Sequence, residues 1–102
     1  MDEQVIIENQ TEIAEKTKIE LPPDYKILLH NDDVTTVDFV INLLISVFKK
    51  DAEDAIKITK EAEKRGSAVI GIYTYDIAAT LLEIAEKRIK EAGFPLLITM
   101  EQ

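Results

Sequence analysis

Cysteine and tryptophan are absent from the 102 residues, and His30 is the single histidine. Without cysteine there is no disulfide framework, no thiolate metal site and no cysteine nucleophile, a composition that suits a reducing cytosol. A lone imidazole rules out a histidine metal cluster, and nothing in the sequence asks for a cofactor. The three glycines, Gly66, Gly71 and Gly93, stand too far apart to form a phosphate-cradling loop. Bases are scarce: 12 Lys plus Arg face 20 Asp plus Glu, for a net charge of -8. Such a chain repels phosphate backbones and anionic lipid, and no local basic patch reverses this, so neither nucleic acid nor a membrane surface is expected as a partner. No apolar run approaches the ~20 residues of a membrane span. The opening Met1-Asp2-Glu3-Gln4 lacks the basic stretch of a secretory signal. The expectation is a cytoplasmic protein.

What is present is 46% apolar and 31% charged residues, an ordinary globular composition for one small domain. Residues 1–20 hold six acids and two bases. Their isoleucines and valine are too sparse to bury a face, and Pro22-Pro23 forces extended backbone behind them. Residues 1–21 therefore read as a flexible acidic N-terminal arm, either an idle terminus or a tether, and residues 22–102 as the folded domain.

Within that domain Tyr25, Ile27 and Leu29 alternate with Lys26, Leu28 and His30, the period of a half-buried strand. Asn31-Asp32-Asp33 is turn-forming, and Thr35 with Asp38 resembles a capping box opening a first helix. Val37, Val40, Ile41, Leu44, Val47 and Phe48 supply that helix's apolar stripe, with Lys49-Lys50 complementing the dipole at its end. Asp51 and Asp54 cap a second helix, whose thinner inward face is Ala52, Ala55, Ile56 and Thr59. Gly66 stops it. Ala68 to Tyr73 is a nearly continuous apolar run that reads as a buried strand, and Thr74 is placed to cap a third helix. Ile77, Leu81, Ile84, Ala85 and Ile89 form that helix's stripe. Gly93 ends it, Pro95 prevents its resumption, and Leu96 to Met100 forms a last strand. The order strand-helix-helix-strand-helix-strand predicts an α+β two-layer fold, a small three-stranded sheet with three helices on one face.

Chemistry is harder to find. Asp32 and Asp33 could be a catalytic carboxylate pair or half a divalent metal site, but no further acid falls at a calcium-loop spacing. A solvated turn is the plainer reading. His30 at a strand end is more often structural than a general base. No nucleophile, base and orienting group occur together, so an enzyme is disfavoured.

Pro23 to Asp33, followed by Thr35, Asp38, Phe39 and Val40, resembles the opening of the ClpS family of protease adaptors. Gly66, Ile70 to Thr74, Ile77-Ala78 and Pro95 to Leu97 keep the family's spacings, so the resemblance spans residues 22 to 101. It implies an adaptor that binds the N-terminal residue of substrate proteins and delivers them to a ClpA-like AAA+ unfoldase; the adaptor itself is expected to be a monomer. By the resemblance, Asn31, Asp32 and Asp33 lie at the mouth of a small apolar pocket, where Asn31 and Asp32 help hold the substrate's α-amino group and first peptide unit. Thr35, Val37, Val40, Thr59, Ala62, Glu63 and Leu96 surround it, and the family's usual preference is for large apolar first residues such as Leu, Phe, Tyr and Trp. The chain departs from the family at three of these positions: Glu63 replaces a His, and Thr59 and Ala62 replace a Met and a Val. A carboxylate at Glu63 beside Asp32 would raise the pKa of both. Asp76 matches an acidic residue that docks on the unfoldase, whereas Leu81 stands where relatives carry Lys and also fits the helix's apolar stripe. The alternative is an interaction domain of the same fold that docks on the unfoldase or another protein without reading N-terminal residues. The C-terminal domain of the ribosomal stalk protein shares the element order, but its hinge and Lys/Gly-rich helix are missing.

Overall fold

The computed structural model describes residues 23–102; the expected arm and its boundary lie outside the described residues. Strand β1 spans Asp24–His30, helix α1 Val37–Ser46, helix α2 Ala52–Arg65, strand β2 Ser67–Thr74, helix α3 Tyr75–Ala92 and strand β3 Leu97–Glu101. The sheet order is β2-β1-β3 with both pairings antiparallel. This is the α+β arrangement read from the sequence. β1 is central, so its inward residues anchor the core: Ile27 faces Gly71 and Met100, and Leu29 faces Ala68 and Ile98. A bulge opposite Ile27 and Leu28 inserts Ile70 into β2, and that extra residue is buried. Ile27, Leu29, Leu43, Leu44 and Ile98 are the largest fully buried side chains, each worth ~1.5–3 kcal/mol on burial.

Local chemistry explains the boundaries and corrects several expectations. α1 is capped by Thr36, whose hydroxyl accepts from Phe39 N at 3.2 Å, and not by the expected pairing of Thr35 with Asp38. Thr35 is already engaged by Asp32. α1 ends at Ser46, so Lys49 and Lys50 lie beyond its last turn. The chain leaves the helix there to turn Val47 and Phe48 into the core, and Lys49 takes a left-handed φ of 58°. α2 is capped as expected by Asp51, which accepts from Asp54 N at 2.7 Å. Its inward face is Ala55, Thr59 and Ala62; Ala52 and Ile56 point outward. The i, i+4, i+7 spacing of two alanines and a threonine brings the helix close to its neighbours.

β2 is not buried on both faces. Ala68 and Ile70 point in, but Val69 and Ile72 are 45% and 59% exposed, because the helices cover one face and β2 is an edge strand. α3 likewise packs through Ala78, Ala85 and Ile89, leaving Ile77 and Ile84 exposed. Thr74 occupies its N-cap position without a side-chain cap bond. β3 begins at Leu97, one residue later than expected, since Leu96 turns inward and is buried. No described helix is long and apolar enough to cross a membrane.

Gly66 joins α2 to β2 at a φ of 93°, and a Cβ built there meets nothing within 4 Å. Gly66→Ala is therefore expected to cost ~1–2 kcal/mol through backbone strain alone. Urea unfolding checks this, and an unchanged midpoint would contradict it.

Candidate functional site

The end of β1 runs into a turn organised by one carboxylate. Asp32 Oδ1 accepts from Val34 N at 2.8 Å and Thr35 N at 2.7 Å, and Oδ2 accepts from the Thr35 hydroxyl at 2.8 Å. These short-range bonds are those that Asp makes best in a turn. They deliver the chain into α1, whose first turn carries Val37 and Val40. Across from it, Asn31 N donates to Gly66 O at 2.9 Å, tying the turn to the end of α2.

Between these elements lies a cavity of about 40 Å³. Leu29, His30, Asn31, Asp32 and Thr35 line it from β1 and the turn; Val37 and Val40 from α1. Thr59, Ala62 and Glu63 line it from α2, and Leu96 from the segment before β3. All the pocket residues read from the sequence thus converge on one cavity except Asp33, which sits exposed at the tip of the turn. Asp76 is exposed in the first turn of α3, outside the cavity. Leu29 and His30 line it without having been singled out as pocket residues; their signal was their place as the last two residues of β1. His30 Nε2 lies 2.8 Å from Thr99 Oγ1, a bond across the sheet that favours its structural reading.

The cavity has two chemistries. Leu29, Val40, Ala62 and Leu96 are buried apolar walls, and Thr59 is buried among them with its hydroxyl donating to Ala55 O at 2.8 Å. Asn31 and Glu63 are exposed at the rim, with Asp32 half-buried between turn and wall. Partial burial pushes the Asp32 carboxyl up, but donation from Thr35 N, the Thr35 hydroxyl and Val34 N outweighs it and holds the pKa below the ordinary 3.8. The expectation that Glu63 would raise Asp32 is thereby corrected: the turn, not the neighbouring acid, sets its charge. Among the described residues no group of three or more His, Cys, Asp or Glu is placed to hold a metal ion.

An apolar recess with an ionised rim suits a ligand that joins a hydrophobic side chain to a cation, which defines a small α+β binding module. Residues 20–99 match the family described as ATP-dependent Clp protease adaptor protein ClpS. Curated relatives carry the same description: the Clostridium acetobutylicum protein is 49% identical over 88 residues, 86% of this chain and 87% of that protein. The Acetivibrio thermocellus protein is 43% identical over 101 residues, 99% and 98% of the two chains. Among solved structures, Agrobacterium tumefaciens ClpS2 bound to L-phenylalaninamide superposes with a TM-score of 0.76 at 40% identity, covering 79% of this chain and 98% of that one. The chain belongs to the ClpS family of Clp protease adaptors.

Because the folded-state pKa of Asp32 lies below its unfolded value, the carboxylate contributes stability above pH 3.8 that is lost as the pH falls through the lowered folded value. Asp32→Ala should destabilise the domain at neutral pH by about 1 kcal/mol, as loss of a side-chain cap does, and the gap to wild type should narrow below pH 3.8. Urea melts at the two pH values test this. A gap independent of pH would show that the charge is not used.

Proposed function

We propose that this protein is a cytoplasmic, monomeric substrate-recognition adaptor that reads the N-terminal residue of proteins destined for a Clp protease. The side chain of the first residue enters the cavity between α1 and α2, and its α-ammonium sits at the rim among Asn31, Asp32 and Glu63. The observation that carries the reading is the convergence of apolar walls and an acidic rim on one cavity. A free ammonium gains charge-assisted hydrogen bonds there that an acetylated terminus cannot make. The likeness to ClpS2 supports it, since phenylalaninamide is itself an apolar side chain beside a free ammonium and an amide. Asp32 keeps lone-pair capacity on Oδ2 beyond the one bond from Thr35, and Glu63 supplies a second carboxylate where relatives carry the His.

Delivery uses other surfaces. Asp76 at the start of α3 is the docking acid for a ClpA-like AAA+ unfoldase, and residues 1–21 act as the delivery arm ahead of the folded domain. Leu81 is partly buried against the core, which supports its packing role over a docking contact.

Peptides identical except for a free or acetylated terminus test the reading by fluorescence anisotropy. Acetylation should weaken binding by about tenfold or more, the weight of a bond to a charged group. Asp32→Ala should do the same, and Glu63→Gln should cost several-fold. Equal binding of free and acetylated peptides would refute the N-terminal reading and favour a docking domain that ignores the terminus. Removing residues 1–21 should leave peptide affinity unchanged while slowing degradation by the reconstituted protease; unchanged degradation would remove the arm from delivery.

A further inference from the structure

Strand β2 has an outer edge that the described fold leaves open. In the order β2-β1-β3 no described strand lies beyond it, and its eight residues, Ser67–Thr74, contain neither a charge nor a proline. Charges and prolines are what natural edge strands use to refuse a further strand. The opposite edge has both: β3 is five residues long, ends in Glu101 and follows Pro95. The bulge at Ile70 divides the β2 edge into two short runs, residues 67–69 and 71–74. Beside the first of them an open groove separates the strand from α2, with Ile58, Ala68 and Val69 as its apolar lining and Lys57 and Glu61 at its margin. Glu61 is paired with Arg65 at 3.4 Å. Residues 57–65 carry four bases against two acids, so this flank is positive in a chain of net charge -8.

The chain itself holds an occupant for this edge. Among residues 1–22, which lie outside the described residues, Val5, Ile6 and Ile7 form the longest apolar run, and all three are β-branched, the class that favours strands. Alternation along a strand sends Val5 and Ile7 to one face and Ile6 to the other. The run can therefore meet the groove at Ile58 and Ala68 on one side and the open face at Val69 on the other. Residues 1–15 contain five acids and no base, the complement of the positive flank of α2. Reach is ample. Asp24 pairs with Thr74, so the arm joins the domain at one end of β2. The 15 residues between Ile7 and Pro23 span up to ~50 Å, about twice the ~26 Å length of β2. Such a tether holds the run near the edge at an effective concentration in the mM range. A second copy of the chain has no tether, and its like charge repels it. We infer that residues 5–7 dock on the outer edge of β2 as a fourth strand beside residues 67–69, with Glu8 at the level of Lys57. The delivery arm proposed above is then held at both ends until this strand is pulled free. The docking itself does not depend on what the recess binds.

The absence of cysteine supplies the test, since Glu3→Cys gives the full chain a single attachment point for a nitroxide spin label two residues from the run. In isotope-labelled protein the nitroxide should broaden the amide signals of Lys57, Ile58, Glu61, Ala68 and Val69 and leave those of Asp32, Thr35 and Val37 at the recess sharp. Adding Ile6→Asp to the same chain should reduce the broadening at Val69 several-fold. Lys57→Glu, a change at an exposed position, should reduce it as well, and so should added salt. A mixture of spin-labelled chains without isotope and isotope-labelled chains without the nitroxide should show no broadening. Broadening in that mixture would put a second copy on the edge and overturn the inference. Broadening spread evenly over the domain or centred on the recess would overturn it too, as would broadening at Val69 that survives Ile6→Asp.

Discussion

One carboxylate shapes the mouth of the site. Asp32 takes two backbone N–H groups and a hydroxyl from the next three residues, and with them it turns the chain from the central strand into the first helix. If the turn opened, Val37 and Val40 would lose their place against α2, and Asn31 would lose its link to Gly66. The same bonds hold the charge of Asp32 ionised. Shape and electrostatics at the rim thus come from a single local interaction, one that needs no distant partner.

The floor of the site depends on different physics. Leu29 belongs to the inward face of the central strand, and Ala62 and Thr59 to the small-residue face of α2, so the floor of the cavity is a gap between packed elements, with the turn and Leu96 closing its sides. Small residues on α2 let the helix approach closely, and what remains unfilled is the recess itself. A bound side chain would complete the packing of the domain, coupling ligand binding to stability.

Much of this was readable from residues. The period of two in β1, the Asp51 cap, and the stops at Gly66 and Gly93 place the elements because each rests on chemistry within a few residues. Helix faces were harder. Ile56, Ile77 and Ile84 fit apolar stripes yet lie exposed, while Ala62 and Ala78 are buried, because the orientation of a helix is decided by what it packs against and alanine carries little hydropathic signal. β2 read as fully buried for a related reason: a run such as Ala68 to Tyr73 does not reveal that one face of the sheet will stay uncovered. Most pocket positions came from likeness to a family, since Val37, Thr59 and Leu96 are far apart in sequence and individually unremarkable. The cap falls at Thr36 and not at Thr35 because the N–H and hydroxyl of Thr35 both donate to Asp32 and keep Thr35 within the preceding turn, a choice that two adjacent threonines in the sequence do not reveal.

The central claim is that a free terminus and its side chain are received between the β1–α1 turn and α2. It is tested most directly by titrating the isotope-labelled protein with L-leucinamide and following backbone amide shifts. The account predicts saturable shifts at Asn31, Asp32, Thr35, Val37, Thr59, Glu63 and Leu96, none of them reproduced by the N-acetylated compound. Shifts centred on α3 or on the uncovered sheet face around Val69 and Ile72, or an equal response to the acetylated compound, would contradict it.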